Sequence, residues 1–137
     1  MNVQRIIFWI ARLVAALIML QTLYSKFTGQ PESIYIFSAL GIEPWGRYGS
    51  GIAELIASLL ILIPATSWIG AFLGLVVMLG AIVSHLTVLG IEVQGDGGYL
   101  FILALVVTAS CLTILYITRH DWIAVLNTWR KNFSPVN

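Results

Sequence analysis

Four long apolar runs interrupted by very few charges organise this chain, at roughly residues 6–24, 44–63, 68–89 and 99–117. Twenty helical residues rising about 1.5 Å each cover roughly 30 Å, the hydrocarbon thickness of a bilayer. The pattern therefore predicts an all-α membrane protein, a bundle of four transmembrane helices. The intervals between runs are short and carry helix-stop or turn chemistry: Gly29, then Pro64-Ala-Thr-Ser67, then Ile91 to Gly98 with Asp96-Gly97 at its tip. Residues 29–43 are too few to cross a bilayer. Gln30-Pro31 suits a helix start, Ile34, Phe37 and Leu40 mark one apolar side, and Gly41 suits a stop, so a short interfacial helix is expected between spans one and two, acting as a lid. Beyond Arg119-His120-Asp121, residues 122–133 set Trp122, Val125, Leu126 and Trp129 on one side. They predict a C-terminal amphipathic helix at headgroup level.

The polar residues inside the runs are the candidates for chemistry. Glu54 lies within the second run, and Arg47, Gly51, Glu54 and Ser58 share its helical face. A central charge costs about 2.5 to 3.5 kcal/mol on insertion scales, so this face should turn toward protein. On the third run, Gly70 and Gly74 form a GxxxG whose face continues through Ala81 to His85. Antiparallel packing puts Glu54 roughly 8 to 15 Å and His85 about 8 Å below one membrane surface. Lys26, Gln21 and Arg47 fall near that level, beneath the expected lid. These five residues, Glu54, His85, Lys26, Arg47 and Gln21, are the candidate ligand-binding set; no catalytic residue is assigned. Glu and His converging in low dielectric can exchange protons and bond carbonyl oxygens, chemistry that a quinone headgroup fits. A Glu–His hydrogen bond that merely locks two helices predicts the same residues. Arg12, deep in the first run, is expected to snorkel to the surface.

Composition narrows the classes. With 59% hydrophobic and 9% charged residues, the 137 residues read as a single integral membrane domain over 1–137 in contact with the lipid bilayer. A net charge of +1 with scattered basic residues leaves no footprint for nucleic acid. The lone cysteine, Cys111, excludes an internal disulfide and a CxxC pair, and its apolar surroundings mark it as a packing residue. Redox chemistry would therefore need a bound cofactor or a partner protein. Glu54 and His85 are too few for a metal site, and His120 falls at the opposite face from His85, so neither a metal nor a haem is expected. The amino-terminal run lacks a small-x-small cleavage pattern and is read as a retained first span. With both termini cytoplasmic, the inner segments hold Arg5, Arg119, Arg130 and Lys131 while the outer loops hold Lys26 and Arg47 among four acids, which is the charge bias cytoplasmic segments favour.

The ordered set Leu23-Tyr-Ser-Lys-Phe27, Leu40-Gly-Ile-Glu-Pro44, Gly51-Ile-Ala-Glu-Leu55, Gly80-Ala-Ile-Val-Ser-His85 and Gly95-Asp-Gly-Gly-Tyr-Leu-Phe101 resembles the DoxX family of small membrane proteins, over roughly residues 6–117. The resemblance implies a four-helix bundle in a bacterial or archaeal cytoplasmic membrane. It also places Lys26, Glu54 and His85 at the family's recurrent polar positions. Family roles range from subunits of quinone-linked oxidoreductases to assembly chaperones, so fold is implied more tightly than function. The expectation carried forward is a non-autonomous redox subunit that binds a quinone or similar lipid-soluble ligand near Glu54 and His85, with a protein partner or a second copy completing it. An assembly or scaffolding protein is the alternative, and a small-solute transporter a third.

Overall fold

A computed structural model describes residues 2–134; Met1 and residues 135–137, the two ends of the expected domain, lie outside the described residues. Every regular element among them is helical: α1 (Val3–Thr28), α2 (Pro31–Ala39), α3 (Trp45–Leu62), α4 (Ser67–Ser84), α5 (Tyr99–Ile117) and α6 (Arg119–Phe133). A one-turn 3-10 helix, Pro64–Thr66, joins α3 to α4, and a π-helical turn, His85–Leu89, extends α4. Three stretches are long and apolar enough to cross a membrane: Val3–Thr28, Pro64–Leu89 and Tyr99–Ile117. α3 falls outside this group because Arg47 and Glu54 lower its mean hydropathy.

α1, α3, α4 and α5 close into a four-helix bundle in which α1 packs on α3, α3 on α4, α4 on α5 and α5 back on α1. The interior is built of small side chains. Ala11, Ala15, Ala16, Ala57, Ala71 and Ala104 are buried together with Met19, Ile61, Val107, Cys111 and Ile114. Bulky aliphatic groups point outward instead, with Leu17, Leu59, Val76, Val83 and Ile102 all more than half exposed. Small residues inside and large apolar residues outside is the arrangement a lipid solvent selects, because hydrocarbon rewards close backbone approach rather than apolar burial. The GxxxG serves this packing. A Cβ on Gly70 would stand 2.6 Å from the Ala57 carbonyl oxygen, and one on Gly74 would stand 3.2 Å from Cys111 Sγ. Both glycines are thus consumed inside the bundle, as is Cys111.

Two expectations change here. Arg12 does not snorkel: it is fully buried, donating from Nε to the Ile61 carbonyl oxygen at 2.7 Å and from Nη2 to that of Leu62. Those carbonyls end α3, where a helix leaves its last acceptors unpaired and carries partial negative charge. Thr66 Oγ1 covers the Leu60 carbonyl at 2.9 Å, so a charge from α1 and a hydroxyl from the turn together close the end of α3. On α2, Ser33 and Phe37 face inward, whereas Ile34 is exposed. The apolar side is rotated because α2 rests against α1, α3 and the π-turn at once.

The remaining elements extend the expected boundaries modestly. α1 runs past residue 24 to Thr28 and is closed by Gly29 in the left-handed conformation (φ 67°), which keeps Lys26 in its last turn. α6 begins at Arg119, and none of its residues is buried. It is tied to the bundle by the Trp122 indole, which donates to the Leu115 carbonyl oxygen at 2.8 Å and meets Phe72 edge-on.

Candidate functional site

The antiparallel pairing of α1 and α3 sets the last turns of α1 beside the middle of α3. Glu54 is 3% exposed, and its Oε2 accepts from Lys26 Nζ at 2.5 Å and from Thr22 Oγ1 at 3.0 Å. Its Oε1 makes no hydrogen bond among the described residues. Thr22 comes from the same face of α1 as Lys26, one turn earlier. Nothing in the sequence distinguishes it from an ordinary span threonine, and only the depth of Glu54 on the facing helix makes it a partner.

His85 opens the π-turn, and its Nδ1 donates to the Gly90 carbonyl oxygen at 2.8 Å. The neutral ring then keeps its lone pair on Nε2, which has no partner among the described residues. The loop that offers this carbonyl is organised by a carboxylate. Asp96 accepts from the backbone N–H groups of Val93 (3.0 Å), Gly98 (2.8 Å) and Leu100 (3.1 Å), so it both closes the loop and caps the start of α5. Partial burial pushes the Asp96 carboxyl up, but the group is held below its ordinary value, chiefly by the three N–H donors. Gly90 itself sits at φ 80° and ψ 170°, a conformation open to glycine, and this turns its carbonyl back toward the ring.

Lys26, Glu54 and His85 line one cavity of about 380 Å³. Thr22, Ser25 and Met19 line it from α1, Ser50 from α3, Val77, Ala81 and Ser84 from α4, and Leu103 and Val107 from α5. α2 contributes Glu32, Ser33, Ile36 and Phe37, so this helix forms one wall of the cavity. The volume suits a small-molecule site, which typically holds roughly 300 to 1,000 Å³ within mostly apolar walls bearing a few polar groups. Glu54 and His85 do not bond each other. Each is anchored separately, and Glu54 Oε1 and His85 Nε2 have no hydrogen-bond partner among the described residues.

Gln21 and Arg47, the other two candidates, lie outside the lining. Gln21 is exposed, with its amide 3.5 Å from the Tyr99 hydroxyl. Arg47 is buried but committed: it pairs with Glu43 at 2.8 Å, donates to the Lys26 carbonyl oxygen, and lies over the Tyr48 ring. It thereby ties the end of α1 to the start of α3, one step away from the cavity. Among the described residues no three His, Cys, Asp or Glu side chains gather at one point.

Lipid-facing bulk, small-residue packing and an internal cavity with a buried ion pair define a small helical membrane protein. The chain belongs to the DoxX family, whose model matches residues 7–87. That match spans Lys26, Glu54 and His85 and leaves α5 and α6 beyond it. No curated protein and no solved structure matches the chain.

Proposed function

We propose that this chain is a multi-pass subunit of a membrane redox system, binding a quinone or a similar lipid-soluble ligand between Glu54 and His85. The observation that carries the proposal is the hydrogen-bond polarity of the cavity. Lys26 has N–H groups beyond the one given to Glu54, so it can donate to a carbonyl oxygen. Glu54 Oε1 and His85 Nε2 can accept from a hydroxyl. Opposed walls that can donate to one redox form and accept protons from the other are what such a ligand needs, while the apolar lining suits the ring and tail. A quinone headgroup takes up two electrons and two protons when reduced. With one cysteine and no dithiol, the chain leaves electron supply to a protein partner.

The reading places α3 as a fourth crossing. Its charges are met within the protein, Glu54 by Lys26 and Arg47 by Glu43, and its terminal carbonyls by Arg12, so little polarity is left facing lipid. In a bacterial or archaeal cytoplasmic membrane, Arg5, Arg119, Arg130 and Lys131 then lie inside with both termini, and α2 lies in the outer interface. In a Cys111→Ala background, an impermeant thiol reagent applied to intact cells should label a cysteine placed at Gln94 and spare one at Asn132. The opposite pattern reverses the orientation.

The direct test is purification in mild detergent followed by mass spectrometry of retained lipids and proteins, with quinone titrated against tryptophan fluorescence. Retained quinone is expected, with Glu54→Gln lowering affinity about tenfold through loss of a charged acceptor. An assembly role is the second reading, favoured by α6, which exposes Leu126, Trp129 and Phe133. A stoichiometric protein partner with no quinone binding would establish that reading in place of the first.

A further inference from the structure

The far end of the bundle from the cavity carries a second concavity of different chemistry. A crevice of about 450 Å³ lies where the first turn of α1 meets the junction of α5 and α6, lined by Asn2, Arg5 and Phe8 on one side and Ile117, Arg119 and His120 on the other. Among the described residues no carboxylate lines it. Among the described residues neither arginine is in an ion pair, since the two ion pairs present are Lys26–Glu54 and Arg47–Glu43. Arg119 donates from Nη1 to the Tyr116 carbonyl oxygen at 2.8 Å and lies 4.5 Å over the Tyr116 ring, which fixes its direction and leaves the rest of its fork free. Asp121, the acid in the first turn of α6, is not part of the lining.

The backbone adds to the same sign of charge. α1 and α6 both begin at the crevice, and the first-turn N–H groups of a helix carry partial positive charge. Depth then identifies the medium. Immediately after Arg5, Ile6, Ile7 and Ile10 are exposed, and Leu112 and Tyr116 are exposed on α5. Such apolar surface belongs in hydrocarbon, so the crevice lies at the level of lipid headgroups.

We propose that this crevice is a binding site for the phosphate-bearing headgroup of an anionic phospholipid. Arg5 and Arg119 take the phosphate oxygens through guanidinium forks, whose planar geometry matches them. Asn2 and His120 add polar contacts at the rim, and the acyl chains descend along the exposed apolar faces of α1 and α5. A zwitterionic headgroup brings its own cation, for which the lining offers no carboxylate among the described residues. A free phosphate gains nothing from the apolar faces. The site is independent of the cavity under α2.

Native mass spectrometry of the detergent-solubilised full chain can count lipids bound stepwise, using phosphatidylglycerol and phosphatidylcholine with identical acyl chains. The first phosphatidylglycerol is expected to bind about tenfold more tightly than phosphatidylcholine. Arg5→Gln and Arg119→Gln should each weaken phosphatidylglycerol about fivefold and leave phosphatidylcholine unchanged. Equal affinity for the two lipids, or variants that bind phosphatidylglycerol like the parent, would overturn the proposal. So would displacement by inorganic phosphate at concentrations comparable to the lipid, which would mark a free-anion site. Should Arg119→Gln lose the fold along with its hydrogen bond to Tyr116, Arg5→Gln decides alone, because the Arg5 guanidinium makes no hydrogen bond among the described residues.

Discussion

Arg12 and Lys26 lie on the same face of α1, both inside the bundle, yet their surroundings differ in kind. Arg12 is sealed. Its partners are the Ile61 and Leu62 carbonyls, Phe8 and Trp9 lie against its guanidinium, and it is not part of the lining that Lys26 joins. Lys26 keeps 14% of its side chain exposed, pairs with the Glu54 carboxylate, and borders about 380 Å³ of open space. A buried charge in a membrane helix is a functional suspect by default, because lipid makes it costly. The pair shows what separates the two outcomes. A cation bonded to fixed backbone dipoles closes a helix, while a cation paired with a side-chain carboxylate beside a cavity is the one the proposed ligand would meet.

The strongest way to break that contrast is to remove Arg12. Arg12→Ala strips two carbonyls of a charged donor and leaves a void among buried side chains, so it should lower bundle stability by about 3 kcal/mol or more. Unfolding in mixed detergent–SDS micelles measures this. The fraction that remains folded should bind ligand at the cavity with unchanged affinity. Lys26→Met should do the reverse, weakening ligand binding by more than it weakens the fold. If Arg12→Ala cost under about 1 kcal/mol, or cut ligand affinity in folded protein, the assignment of Arg12 as a purely structural group would fail.

The two ends also differed in how far they could be read from residues alone. Glu54, Lys26 and His85 were legible as polar groups at one depth, but Glu54 was expected to meet His85, whereas it pairs with Lys26 while His85 bonds Gly90. Arg12 was expected to snorkel, and its bond to the end of α3 was hidden because backbone acceptors carry no sequence mark. His85 was visible as a candidate, but its anchor was not: the π-turn and the bond to Gly90 depend on a local winding that shifts one residue relative to α-helical periodicity. Ser33 and Ile34 show the same limit. One position is about 100° of helix rotation, and packing against three neighbours decided it.

Asp96 sharpens the comparison at the cavity end, where loop order supports the site. Its carboxyl is held below its ordinary value of 3.8, so its contribution to stability is fully present above that pH. The contribution is lost as the pH falls through the depressed folded value. Asp96→Asn should cost about 1 to 2 kcal/mol at neutral pH, since an amide offers one acceptor oxygen to three N–H groups. The difference in stability between parent and variant should then shrink as the pH falls below 3.8 and through the depressed folded value, where the parent protonates. A pH-independent difference would mean that the carboxylate charge does not hold the loop.

The finest distinction concerns Glu54 and His85, which share a cavity without sharing a hydrogen bond. Residues in one hydrogen-bonded network usually show coupling of about 0.5 to 3 kcal/mol in a double-mutant cycle, and independent sites add to within about 0.3 to 0.5 kcal/mol. With the cavity empty, Glu54→Gln and His85→Gln should therefore be nearly additive in unfolding free energy, because Glu54 is anchored to Lys26 and Thr22 while His85 is anchored to Gly90. Measured on ligand affinity instead, the same cycle should show coupling, because a ligand that bonds both side chains loses its second contact more easily once the first is gone. Coupling in the ligand-free protein would mean that the two side chains already form one structural network. Additivity in both measurements would mean that no ligand bridges them, and the placement of the headgroup between Glu54 and His85 would have to be given up.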